Sequence, residues 1–179
     1  MVDERKRTIL LGLAFLFFLI LSSLENVVFF QILGTVLQNL LLSIVMLFIH
    51  NLLVISLILL GMTFYVSLVC NFFRKDKYER VVLEHPRIFA LVFTIMIVFL
   101  SILRGATLLN GGIALETLPL VLLVSAPIGI VEGYGIYLTI KKTLSQAMSL
   151  RDLAYIYGIF LIAAVMEVGF INLLIAVAR

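Results

Sequence analysis

Residues 26–73 contain no Asp, Glu, Lys or Arg. As one helix this stretch would be about 72 Å long, more than twice the ~30 Å hydrocarbon core of a bilayer. It must therefore turn at least once, and where it turns decides the topology of the whole chain. Shorter uncharged runs at 8–24, 88–103 and 117–131 repeat the theme, and runs of this kind point to transmembrane helices. Only 13% of residues are charged against the ~25% usual in soluble domains, while 64% are apolar. So few charges cannot clothe a water-soluble surface. A soluble enzyme, a nucleic-acid binder and a disordered tail are all disfavoured, even though the net charge is +3. In a membrane protein a basic excess marks cytoplasmic loops.

The expected fold class is all-α: a polytopic transmembrane helical bundle forming one integral membrane domain over 1–179. The N-terminal Met-Val-Asp-Glu-Arg-Lys-Arg before an apolar segment also fits a signal peptide. A retained first helix is the better reading, because the chain after it is itself polytopic. The single cysteine, Cys70, excludes an internal disulfide. No Cys/His cluster with metal spacing and no hydrolase or nucleotide-binding motif is present. No enzymatic activity, metal or other cofactor is expected.

Basic residues cluster at Arg5, Lys6 and Arg7; at Arg74, Lys75, Lys77, Arg80 and Arg87; and at Lys141, Lys142 and Arg151. The positive-inside rule puts all three clusters in the cytoplasm. If 8–24, 27–49 and 52–73 each crossed the bilayer, the first two clusters would fall on opposite sides. The break in the long run is expected at His50-Asn51, and 27–49 is expected to lie at the interface or to be re-entrant. Gln31, Thr35, Gln38, Asn39 and Ser43 make a polar stripe there that His50 extends. Five spans result, near 8–24, 52–73, 86–109, 114–141 and 150–178, plus one amphipathic helix. The N-terminus is then cytoplasmic, the C-terminus extracytoplasmic, and the chain is multi-pass in the cell membrane. Ser149-Leu-Arg-Asp152 reads as a capping box opening the last helix.

Ionisable side chains at bilayer depth cost at least ~2.5–3.5 kcal/mol and are functional candidates by default. Arg104, Glu132 and Glu167 qualify. Counted from the cytoplasmic helix ends, Arg104 lies about 26 Å deep, Glu167 about 22 Å and Glu132 about 14 Å. Arg104 and Glu167 are thus matched for a structural ion pair, and Glu132 is left as the better proton or cation site. Glu132 follows Pro127 and Gly129, where a kink or a broken helix is expected. Gly129-xxx-Gly133 is at the same time a close-packing pattern. Asn51 and Asn110 are assigned to helix ends or interhelical bridging.

Three blocks now carry a resemblance: Phe48-Ile-His-Asn51 followed by Gly61; Asn110-Gly111 followed by Ala126-Pro-Ile-Gly-Ile-Val-Glu132; and Ala163-Ala-Val-Met-Glu-Val-Gly-Phe170. In order and placement they resemble the stage II sporulation protein M family of polytopic membrane proteins. Ile128 stands where that family commonly has His, so no role of that His carries over. The resemblance implies a membrane bundle with an amphipathic segment, and a non-enzymatic scaffold or complex subunit with membrane-protein partners or a homo-oligomeric state in the lipid bilayer. The composition argues against a nucleic-acid partner. The alternative from site chemistry is transport, by a small-solute or ion permease that uses Glu132 and Glu167.

Overall fold

The computed structural model describes residues 39–72, 82–110 and 118–177 and scattered positions between Leu13 and Val36; at 68–72, 102–110, 118–122, 124 and 174–177 it describes the backbone alone. The described residues form helices and no strand. The four long helices are α1 (Leu40–Phe72), α2 (Pro86–Asn110), α3 (Leu118–Leu144) and α4 (Leu150–Val177). Described positions between Leu13 and Val36 are also helical. As helices, α2 and α4 agree with the expected 86–109 and 150–178 to within a residue; α3 ends three residues beyond the expected 141, and 114–117 lie outside the described residues.

The long uncharged run does not break at His50-Asn51. Both residues lie inside α1, and the turn falls at Asn39 instead. The Asn39 amide donates to the Val36 carbonyl at 2.9 Å, closing the preceding helical stretch. Asn39 Oδ1 then accepts from the Leu42 amide at 3.1 Å, as an N-cap does for a helix start. Across the turn, the buried Ser43 hydroxyl donates to the Val36 carbonyl at 2.9 Å. The chain reverses here, because Phe29 stacks on His50 with ring centroids 3.8 Å apart. Pairs 36/43 and 29/50 are symmetric about the same point, so the preceding segment and α1 form a helical hairpin. The supposed amphipathic helix at 27–49 is therefore replaced: Thr35 and Ser43 of its polar stripe lie on either side of a turn at Asn39, and Gln31 and Gln38 lie outside the described residues. Thr35 bonds its own helix at the Ile32 carbonyl, Asn39 caps and Ser43 ties the hairpin.

Among the described residues, two helices are long and apolar enough to cross a bilayer, in Leu40–Ser67 of α1 and Leu150–Leu173 of α4. Only 17% and 33% of their most apolar windows are buried. Leucine, isoleucine and valine cover the exposed faces, as Leu53 and Leu60 do on α1 and Ile162 and Val165 do on α4.

Helix α3 touches all three of the others, α1 and α4 pack on each other, and α2 packs on α3. Its small residues explain how. A Cβ on Gly133 would meet Val98 at 3.4 Å and Thr94 at 3.6 Å, so this face receives α2. A Cβ on Gly135 would sit 2.8 Å from Phe160 Cζ, so this face receives α4. Small residues let helix backbones approach closely. Buried side chains form two clusters, one around Ile55, Ala90, Ile136, Ile140, Ile156 and Phe160, the other around Phe29, Leu47, Ala164 and Val168.

The turn from α3 to α4 is fixed at both ends. Gln146, at φ 52°, takes the left-handed position of a Schellman motif. Its amide donates to the Thr143 carbonyl and the Ala147 amide to the Lys142 carbonyl, both at 3.0 Å. The capping box is formed: Ser149 Oγ accepts from the Asp152 amide, and Asp152 Oδ2 accepts from the Ser149 amide, each at 3.1 Å. Lys142 Nζ lies 3.1 Å from Asp152 Oδ1 and ties the two helix ends together. At the start of α2, the His85 carbonyl accepts from the Ile88 and Phe89 amides, and Pro86 takes the first helical position, where its missing N–H costs nothing.

The glycines differ sharply in what they tolerate. Gly135→Ala forces the buried Phe160 ring aside, an overpacking cost of about 1–3 kcal/mol. A Cβ at Gly61 meets nothing within 4 Å, so Gly61→Ala gains helix propensity of up to about 1 kcal/mol. Thermal unfolding in mild detergent should therefore move down for the first variant, back up when Phe160→Leu is added, and level or up for the second.

Candidate functional site

Helix α1 has a buried stripe at Leu47, Asn51 and Ile55, four residues apart and so on one face. Leu47 belongs to one apolar cluster and Ile55 to the other. Asn51, 7% exposed, is the polar layer between them. A buried amide in an apolar layer must find a partner. Asn51 Nδ2 donates to Glu132 Oε1 on α3 at 3.4 Å, a long hydrogen bond. Glu167, from α4, joins the same layer: its carboxyl and that of Glu132 interact electrostatically, and both residues are half-buried. Three helices thus each send one polar side chain to a common junction.

This is a different grouping from the one expected on depth. The counted depths set Glu132 apart from Glu167, yet the two carboxyls lie close enough to interact electrostatically. Depth counting projects each residue on its own helix axis and ignores tilt and side-chain reach. The proposed Arg104–Glu167 pair cannot be drawn, because the side chain of Arg104 lies outside the described residues. The side chain of Asn110 does too; its backbone is the last residue of α2. Glu167 makes no hydrogen bond or ion pair among the described residues.

Pro127 does not break α3, which runs unbroken from Leu118 to Leu144. Glu132 is therefore inside a continuous helix rather than at the start of a half-helix, and the broken-helix expectation is withdrawn. Pro127 points outward and is exposed, whereas Gly129 faces Val98 of α2 at 3.6 Å. The proline ring thus avoids the packed interface.

Among the described residues no group of three or more His, Cys, Asp or Glu is placed to hold a metal ion. A groove of about 590 Å³ between α2 and α3 is lined by Leu91, Thr94, Val98, Gly133, Tyr134 and Tyr137 among others, and not by Asn51, Glu132 or Glu167. A smaller cavity of about 110 Å³ lies by Tyr134, Lys142, Asp152 and Tyr155. Thr94, 7% exposed, has a buried hydroxyl without a hydrogen-bond partner. The buried Thr139 and Thr143 bond back to the carbonyls of Gly135 and Thr139 at 2.9 and 2.7 Å. Neither Thr94 nor the Phe29–His50 stack was expected. The stack follows from the turn, whose midpoint between residues 39 and 40 is equally far from both rings.

Compared with protein-family models, with curated proteins and with solved structures, the chain matches none. The geometry of the junction is thus the firmest guide to function.

The Asn51–Glu132 contact sets up a double-mutant cycle. Removing Asn51 alone leaves the Glu132 carboxyl without its donor, at a cost of about 1–3 kcal/mol. Unfolding of the Asn51→Ala, Glu132→Ala and double variants in detergent should give a coupling energy of at least about 0.5 kcal/mol. Strict additivity would show that the two side chains do not interact.

Proposed function

We propose that the chain is a multi-pass membrane protein that serves as a non-enzymatic scaffold or subunit of a membrane complex, as its resemblance to the stage II sporulation protein M family implies. One observation carries the reading. Asn51, Glu132 and Glu167, one from each block of that resemblance, meet at the junction of α1, α3 and α4. Glu132 is thereby engaged in joining α3 to α1 through Asn51, and Glu167 lies beside that contact. The described groove that is large enough for a ligand is apolar and does not include them.

The turn at Asn39 supports a topology of five spans. The helical segment ending at Val36 is the first and α1 to α4 are the rest. The basic clusters at 5–7, 74–87 and 141–151 then share the cytoplasmic side, as the positive-inside rule requires. The turn at Asn39 and the C-terminus are extracytoplasmic. No interfacial helix is needed to balance the count.

A second reading, a small-cation or proton permease, is favoured by one fact: Glu167 and Glu132 adjoin each other, and neither pairs with a cation among the described residues. Acidic side chains in that state within a membrane mark ion pathways. The two readings separate on Glu132→Gln and Glu167→Gln. A scaffold co-purifies with partner membrane proteins in mild detergent and loses them, or its fold, in these variants. A protein that purifies alone, stays folded in both variants and loses proton or cation flux in proteoliposomes is a permease.

A further inference from the structure

The groove between α2 and α3 ends at a pair of cations. Thr94 and Val98 lie opposite Gly133, and Val98 also faces Gly129, so the two helices run antiparallel with a fixed register. That register sets Leu91 level with Tyr137, both of which line the groove. One helical turn further, it sets Arg87 level with Lys141. Arg87 precedes Leu91 by four residues and Lys141 follows Tyr137 by four, so each cation stands on the groove side of its helix. Arg87 is exposed and makes no ion pair among the described residues, and Lys141 Nζ lies 5.6 Å over the Tyr137 ring. Neighbouring Lys142 differs, being neutralised by Asp152 at 3.1 Å.

We propose that this groove is a binding site for an anionic phospholipid, with an acyl chain along α2 and α3 and the headgroup phosphate between Arg87 and Lys141. The inference rests on the membrane reading above. The groove walls are almost wholly apolar, as an acyl chain requires, and are open along one side to the exposed faces of Leu91 and Ile95. Two like charges at one level repel unless an anion lies between them. Tyr134 and Tyr137 supply the amphipathic rings that prefer headgroup depth. Basic pockets between helices on the cytoplasmic side suit anionic headgroups, with a gain of about fivefold in affinity per basic residue near the surface.

The chain contains no tryptophan, so a single one reports its own surroundings. Ile95→Trp places the probe in the groove, about 12 Å from Arg87; Ile162→Trp is the control on the outer face of α4, about 15 Å from Asp152. Both positions are exposed, at 61% and 57%, and can take the larger ring. Each variant is reconstituted in phosphatidylcholine vesicles with acyl-brominated phosphatidylglycerol or acyl-brominated phosphatidylcholine at equal mole fraction. The Ile95→Trp fluorescence should be quenched with a preference of about fivefold or more for the glycerol lipid. The control should show none, and Arg87→Gln with Lys141→Gln should abolish the preference. Equal quenching by both lipids at Ile95→Trp overturns the proposal. So does a preference shared by the control, or one that survives loss of both cations. Absence of quenching at either position by either lipid refutes the membrane reading itself.

Discussion

The turn at Asn39 determines how the rest of the molecule can be arranged. A few hydrogen bonds make it: Asn39 caps α1 at 3.1 Å, and the Ser43 hydroxyl reaches the Val36 carbonyl at 2.9 Å. Moving the helix start from Asn51 to Asn39 turns Asn51 from an interfacial end residue into a buried interior one. A buried interior amide needs a partner across the bundle, and Glu132 is the group it meets. The same turn brings the N-terminal segment alongside α1 through the Phe29–His50 stack. One capping residue thus sets both the topology and the polar junction.

Helix α3 is the second organising element. Its glycines are spaced so that Gly129 and Gly133 face α2 while Gly135 faces α4. Glu132 lies between these faces and points to α1. Ala163 and Ala164 of α4 are fully buried and add a further close-packing surface. Such close contacts, with the few polar side chains that cross the interface, are what join these helices. The apolar clusters on either side of the junction keep it from slipping along the helix axes.

Much of this was legible in the sequence. The bounds of α2 and α4, the existence of α3, the Ser149–Asp152 cap and the close packing at Gly129 and Gly133 follow from charge spacing, capping chemistry and residue size. What was not legible turns on polar residues within uncharged stretches. Asn39 and Asn51 look alike in sequence, yet one caps a helix and one bridges two helices. Composition cannot separate them, because both are ways of satisfying an amide. Pro127 invited a break, but α3 runs on through it, and the exposed proline leaves the packed faces intact. The Glu132–Glu167 neighbourhood was hidden because axial depth is a single coordinate, and contact depends on tilt and reach as well.

The location of the turn is open to direct test by cysteine accessibility. In a Cys70→Ser background, Asn39→Cys and Lys75→Cys are each probed with a membrane-impermeant maleimide in sealed, oriented vesicles. The account requires Asn39→Cys to label only from the extracytoplasmic side and Lys75→Cys only from the cytoplasmic side, with Asn51→Cys protected from both. Labelling of positions 39 and 75 from the same side, or open labelling at 51 with protection at 39, would contradict it.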